Sequence, residues 1–245
     1  MHRFYCQDSN LKEQNLCLSD PAEIHHLKDV LRLKPGQSVN LFNEKGEEVM
    51  ATISEILKDR VILKCKEVLS HRAAKNIMVT LACAMPKKAK MESIIEKCTE
   101  LGVDAIYPMM TQRTEVKIPR DRQTAKLRRY QSVALTAVKQ CRRPTLPRIH
   151  PFGTLREALG LMDNKTLGLI ACLQGERQRL WDILYRVPSY AKIVFYIGPE
   201  GDFTDEEMAL AQEAGCIPIT LGPNVLKVDT AAITVIALCR LFFYS

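Results

Sequence analysis

Two short turns near the carboxyl end hold the residues best placed for chemistry, Gly198-Pro199-Glu200-Gly201 and Leu221-Gly222-Pro223. Each follows an apolar run of strand length, Ile193 to Ile197 and Ile217 to Leu221. Glycines there let the main chain approach a ligand with no side chain in the way. Strand ends that open on one crevice are where open α/β sheets bind small molecules. The chemistry available to such a place is mainly positioning, with Glu200 either contacting the ligand or anchoring its turn. A purely structural turn after a strand is the competing reading. Neither Gly-x-Gly-x-x-Gly nor Gly-x-x-x-x-Gly-Lys-Ser/Thr occurs, so the two common nucleotide fingerprints are absent.

A second feature is electrostatic. Between Arg113 and Arg148 lie eleven basic and two acidic side chains, a local excess of nine, against a net charge of +7 for all 245 residues. Cations concentrated in this way form a footprint for phosphates that is salt-dependent and indifferent to base sequence. A solvated helix face would show the same composition. Lys87, Lys88 and Lys90 extend the basic set. His25 and His26 invite an acid-base or metal role, but their helix is polar and offers no partner ligands.

The elements that must position these residues follow from pattern. Thr204 and Glu207 form a capping box for a helix from about Asp205 to Ala214, ended by Gly215. Thr230 to Tyr244 is apolar almost all round, as for a helix buried in the core or against a second subunit. Upstream, strands at Met78 to Ala84, Ala105 to Met110 and Leu167 to Cys172 alternate with helices at Ala89 to Leu101 and Gln123 to Cys141, which predicts a parallel sheet. Residues 1–70 read differently. Strands are expected at Arg3 to Cys6, Val39 to Phe42, Val49 to Leu57 and Val61 to Val68, with one helix from Pro21 to about Leu33 capped by Asp20 and Glu23. Short strands with tight turns predict a small barrel. Ser70 to Asn76 is the expected linker, dividing the chain into 1–70 and 71–245.

Composition excludes several classes. Hydrophobic residues at 47% with 26% charged describe an ordinary globular protein and not a disordered chain. Nine cysteines, odd in number and without Cys-x-x-Cys, read as reduced core residues, and no structural zinc site is expected. No signal-peptide apolar region and no spanning-length apolar run occur, so a cytoplasmic protein is expected.

The stretches Ile197-Gly-Pro-Glu-Gly-Asp-Phe-Thr-Asp-Glu-Glu207 and Leu221-Gly-Pro-Asn-Val-Leu-Lys-Val-Asp-Thr-Ala-Ala232 together resemble a known C-terminal signature. It is that of the bacterial enzymes that methylate ring nitrogen N3 of a uridine in 16S ribosomal RNA, within the knotted SPOUT class. The similarity extends to Met91-Glu-x-Ile-Ile-Glu-Lys97, Thr99-Glu-Leu-Gly102, Gln112-Arg113, Gln140-Cys-Arg-Arg143, and His26-Leu27 with Val30-Leu31-Arg32. The resemblance implies an α/β fold: a SPOUT-type parallel sheet with helices on both faces and a C-terminal trefoil knot, preceded by a PUA-like β-barrel that binds RNA. It implies S-adenosylmethionine as cofactor, no metal, a homodimer, and 16S rRNA, within the small ribosomal subunit, as partner.

By that resemblance Gly198, Pro199, Glu200, Gly201, Leu221, Gly222, Leu226, Thr230 and Ala231 form the cofactor pocket. Asp229 is the candidate proton acceptor or orienter, with helix capping as its alternative role, and Lys227 holds the substrate or its developing negative charge. Arg3, Arg32, Lys87, Lys88, Arg113, Gln140 and Arg143 are the candidates for RNA contact. The chain departs from the family pattern at Lys227-Val228-Asp229, where Arg-Thr-Glu is usual, and at Asp202 and Arg142, where glycine is usual. Lysine lacks the planar fork of arginine, and Asp reaches one methylene less far than Glu. Another RNA nucleotide, a ribose 2′-oxygen, or a non-catalytic role in ribosome assembly are the alternatives.

Overall fold

The computed structural model describes residues 1–6, 11, 13–44, 46–69, 77–87, 90–186 and 192–244. The expected linker at 70–76 and Lys88 lie outside the described residues. The chain divides into two units, residues 1–74 with 138–146, and 75–137 with 147–245.

In the first unit five strands, β1 (Arg3–Tyr5), β2 (Asn15–Leu18), β3 (Ser38–Phe42), β4 (Glu48–Ile56) and β5 (Val61–Leu69), form a sheet in the order β1-β3-β4-β5-β2. Alternate residues of β4, Val49, Ala51 and Ile53, enter a core with Phe4, Leu18, Leu41 and Leu63, as period-2 patterning requires. The strand β2, whose Leu16 and Leu18 supply only two buried side chains, is too short a signal for the sequence reading.

Helix α1 (Pro21–His25) begins as expected, with Asp20 accepting from the N–H groups of Ala22 and Glu23. It stops earlier than expected: His26–Val30 winds as a π turn, Leu31 N–H donates to His26 O, and Arg32 closes the segment at φ 52°. His25 pairs with Asp29 on the surface and His26 packs on Phe4, which gives both rings ordinary structural surroundings.

The second unit contains seven strands: β6 (Met78–Ala84), β7 (Ala105–Met109), β8 (Arg148–Ile149), β9 (Thr166–Ala171), β10 (Gln178–Arg179), β11 (Lys192–Ile197) and β12 (Ile217–Thr220). All pair in parallel in the order β10-β12-β9-β11-β6-β7-β8, so β11 lies centrally between β9 and β6. Five of its six residues are buried, which accounts for its unbroken apolar character.

The helices are α2 (Met91–Glu100), α3 (Arg120–Cys141), α4 (Leu155–Leu159), α5 (Leu180–Leu184), α6 (Asp205–Glu213) and α7 (Val228–Tyr244). On one face, Val194 and Tyr196 of β11 pack with Leu155, Ala158 and Leu159 of α4 and Ala211 of α6. On the other, α7 packs against β6, β11 and α2. Thr154 and Thr204 each make a full capping box, with Glu157 and Glu207. Arg240, a single cation in the apolar α7, is buried; it donates to Gly102 O and Ile77 O and pairs with Asp104, anchoring the far end of α7. No helix among the described residues is long and apolar enough to cross a membrane.

The last turn of α3, from Val138, groups with the first unit. Arg3 explains why. The residue is 9% exposed, and its guanidinium pairs with Glu48 through Nε and Nη2 and donates to Val138 O and Arg143 O. The expectation that Arg3 contacts RNA is therefore corrected: its fork is occupied inside the fold, where it joins β1 to the end of α3.

Candidate active site

The carboxyl ends of β9, β11 and β12 open on one cavity of about 400 Å³. Residues 171–173 and Arg177 form one wall, Ile197 to Glu200 with Asp202 a second, and Ile219 to Val228 with Ala231 a third. Both Gly-containing turns thus meet around one space, at the strand ends where a parallel sheet leaves its main-chain groups unpaired. The first wall, the loop after β9, carries neither of the two Gly-Pro turns, and sequence reasoning missed it.

Of the expected cofactor residues, Gly198, Pro199, Glu200, Leu221, Gly222, Leu226 and Ala231 line this cavity, as does Lys227. Gly201 and Thr230 do not. Gly201 lies instead against the Arg113 side chain, with space for an added Cβ at 3.5 Å, and Thr230 is exposed on α7. Gly198 leaves room for its neighbour: a Cβ there would crowd the Phe203 ring at 3.0 Å. Gly222 has φ 124°, a conformation that L side chains rarely adopt.

The turn after β11 is braced from outside. Arg113 Nη1 donates to Gly201 O at 2.8 Å and Phe203 O at 3.1 Å, and Glu200 Oε1 accepts from Lys87 N–H at 3.0 Å. Gln112 N–H donates to Glu207 Oε1 at 2.8 Å. Glu200 therefore both lines the cavity and ties the turn after β11 to Lys87. Asp202, at φ 60°, keeps the left-handed conformation that a glycine would adopt there, and so does Arg142 at φ 57°.

Asp229 sits in the first turn of α7, beside the cavity and outside its lining. Its Oδ2 accepts from Lys90 Nζ at 2.7 Å. Its Oδ1 is buried and finds no hydrogen-bond partner among the described residues. The Lys90 ammonium, aided by N–H groups at the start of α7, holds the Asp229 carboxyl below the usual aspartate range despite partial burial. The lowered basicity makes Asp229 a poor proton sink. Lys90 was legible only as one more cation of the basic set; the ion pair joins residues 139 positions apart.

Among the expected RNA contacts, Arg32 and Gln140 are exposed. Lys87 is exposed and paired with Glu115 at 2.7 Å, and Arg143 is half-buried, with Nε donating to Thr145 Oγ1. The basic segment is partly neutralised, since Lys126 and Arg129 both pair with Glu92. Lys117, Arg120, Arg122, Arg128, Arg142 and Arg148 stay exposed.

Family models for an RNA methyltransferase domain and an RNA methyltransferase PUA domain match residues 73–240 and 18–65. The chain is 31% identical to the ribosomal RNA small subunit methyltransferase E of Rickettsia conorii, over 98% of this chain and 95% of that one. It superposes with a TM-score of 0.87 on the crystal structure of a ribosomal RNA small subunit methyltransferase E from Neisseria gonorrhoeae bound to S-adenosyl methionine, at 32% identity over 99% and 98% of the two chains. A putative methyltransferase from Legionella pneumophila, in complex with the same cofactor, gives 0.84 at 30% identity over 98% and 96%. Similarity that runs the length of both units, and not only through the cavity turns, makes the chain a member of the ribosomal RNA small subunit methyltransferase E family.

Proposed function

We propose that the chain binds S-adenosylmethionine in the cavity at the ends of β9, β11 and β12 and methylates small-subunit ribosomal RNA at ring nitrogen N3 of a uridine. The observation that carries this reading is the convergence of three loops on one space with Lys227 in its wall and the ionised Asp229 beside it. The cavity suits the cofactor. Its volume falls in the range of small-molecule sites. Ile197, Ile219, Leu226 and Val228 offer apolar faces to a purine, turn backbone offers polar groups to its edge and to a ribose, and Glu200 brings a carboxylate toward a cationic ligand.

When bound, the cofactor supplies an electrophilic methyl on a sulfonium. The new bond forms at N3 as the sulfur–methyl bond breaks, and the N3 proton must depart. Asp229, whose side chain is 28% exposed beside the cavity, accepts a hydrogen bond from N3–H and so orients the ring. With its basicity lowered by Lys90, Asp229 orients N3–H without keeping its proton; the N3–H bond breaks with the proton passing to water, and the electron pair left on the ring forms the bond to the methyl. The Lys227 ammonium, exposed at the rim, offsets negative charge that develops on the uracil. Positioning thus supplies most of the acceleration.

Exposed cations of the segment from Lys117 to Arg148, together with Arg32 and Lys87, provide phosphate contacts, and Gln140 and Arg143 contribute on the substrate side. A homodimer is supported by α5 and α7, where Trp181, Tyr185 and Phe242 form an edge-to-face cluster with Trp181 47% and Tyr185 65% exposed.

The test is twofold. Calorimetric titration of the purified protein with S-adenosylmethionine should give one site per chain, and labelled methyl transfer to small-subunit rRNA should yield 3-methyluridine on nucleoside mass mapping. Label recovered on a ribose 2′-oxygen or another base would overturn the N3 assignment. Absence of binding would overturn the cavity assignment.

A further inference from the structure

We propose that Asp202 is a positioning residue of the cavity, its carboxylate fastening the loop after β9 to the turn after β11 so that Leu173 is held in the cavity wall. This rests on the reading of that cavity as the cofactor site.

Strands β9 and β11 are paired in register up to Ala171 and Ile197. Beyond that pair, Cys172 N–H still reaches Ile219 O of β12 at 3.3 Å, and the ladder then ends. Residues 173–177 depart from the sheet exposed to solvent. Their internal contacts are local: Cys172 Sγ lies 3.4 Å from Gln174 O, and Arg177 Nη1 donates to Cys172 O at 3.2 Å. Among the described residues, the hydrogen bond that ties 173–177 to another segment is Leu173 N–H to Asp202 Oδ2, at 2.9 Å. The other oxygen, Oδ1, accepts from Phe203 N–H at 2.9 Å, so both carboxylate oxygens are used and the side chain is fixed. A carboxylate accepting from two main-chain N–H groups forms charge-assisted bonds, about twice as strong as neutral ones.

Two further observations argue against an incidental turn residue. Asp202 occupies φ 60°, where a glycine would sit with less strain, so the chain keeps a side chain there against its backbone preference. Leu173 is 43% exposed and yet lines the cavity together with Asp202. A leucine in that place is an apolar wall for a ligand that does not fill its surroundings otherwise, and it stays there only if its backbone is held. Preorganising such a wall raises affinity because the ligand need not order it on binding.

Replacement by glycine separates the two roles of Asp202, since D202G eases the backbone while it deletes the fastening. Amide hydrogen exchange of Leu173 is measured without ligand, beside calorimetric affinity for S-adenosylmethionine and the thermal midpoint. D202G should speed Leu173 exchange at least tenfold and weaken cofactor affinity about tenfold, with the midpoint unchanged or raised. D202N, which keeps one carbonyl acceptor, should fall between. Unaltered Leu173 exchange in D202G overturns the fastening, and accelerated exchange with unaltered affinity overturns its bearing on the cofactor. If the unsubstituted protein binds no S-adenosylmethionine, the cofactor reading fails by itself, and Leu173 exchange still decides the fastening.

Discussion

Replacing Lys90 with methionine removes the ammonium that holds Asp229 while keeping a flexible chain of similar length. The Lys90 Nζ to Asp229 Oδ2 distance is 2.7 Å, and the side chains are 35% and 28% exposed. A hydrogen bond to a charged group contributes about 1.5–3 kcal/mol when shielded, and exposure of about a third reduces this to roughly 1 kcal/mol. Unfolding in urea at pH 7 should show that loss. The sign of its pH dependence follows from the depressed carboxyl. A group whose pKa falls on folding contributes stability above its ordinary value of 3.8 and loses it as pH drops through the lower folded value. The gap between Lys90→Met and the unsubstituted protein should therefore be full at pH 7 and close below pH 3.8. In single-turnover methyl transfer the variant should be about fivefold slower, the equivalent of ~1 kcal/mol. The acid limb of its pH profile should move upward, because the Asp229 carboxyl, partly buried and relieved of Lys90, protonates more readily. Cys83 on β6 and Glu200 after β11 also face this region and add no cation to replace the missing one. Lys90→Arg should restore the limb. Equal unfolding at pH 7 with an unmoved acid limb would refute the reasoning.

Asp229→Ala should abolish most transfer and leave S-adenosylmethionine affinity within a few-fold, since Asp229 lies outside the cavity lining; unchanged turnover would remove it from the chemistry. Gly222→Ala forces a side chain into φ 124° and should cost about 1–3 kcal/mol in stability or cofactor binding, read by thermal midpoint and calorimetry. Arg3→Met strands Glu48 in a pair whose side chains are 6% and 13% exposed, and should lower unfolding free energy by about 3 kcal/mol in urea titration. Neutralising Arg120, Arg122 and Arg128 together should weaken rRNA binding and lower the log–log salt slope by about 1 for every phosphate left without its cation; an unaltered slope would place the RNA elsewhere.

The sequence by itself determined what depends on near neighbours. Helix starts at Asp20 and Thr204 were legible because capping joins residues two or three positions apart. The parallel sheet was legible because buried strands and amphipathic helices alternate, and the two turns because glycine and proline mark them. Short elements with weak periodicity, β2, β8 and β10, were not.

Only the tertiary structure decided which groups meet. It turned Arg3 inward to Glu48 and gave the last turn of α3 to the first unit. It also placed Lys90 against Asp229 and brought the loop after β9 to Asp202. The physical reason is range: a cap or a period is fixed by bonds a few residues long, whereas the partner of a charge is fixed by how strands order across a sheet. Local composition reports that a cation or carboxylate exists; only packing reports whether it faces water, a ligand or its opposite.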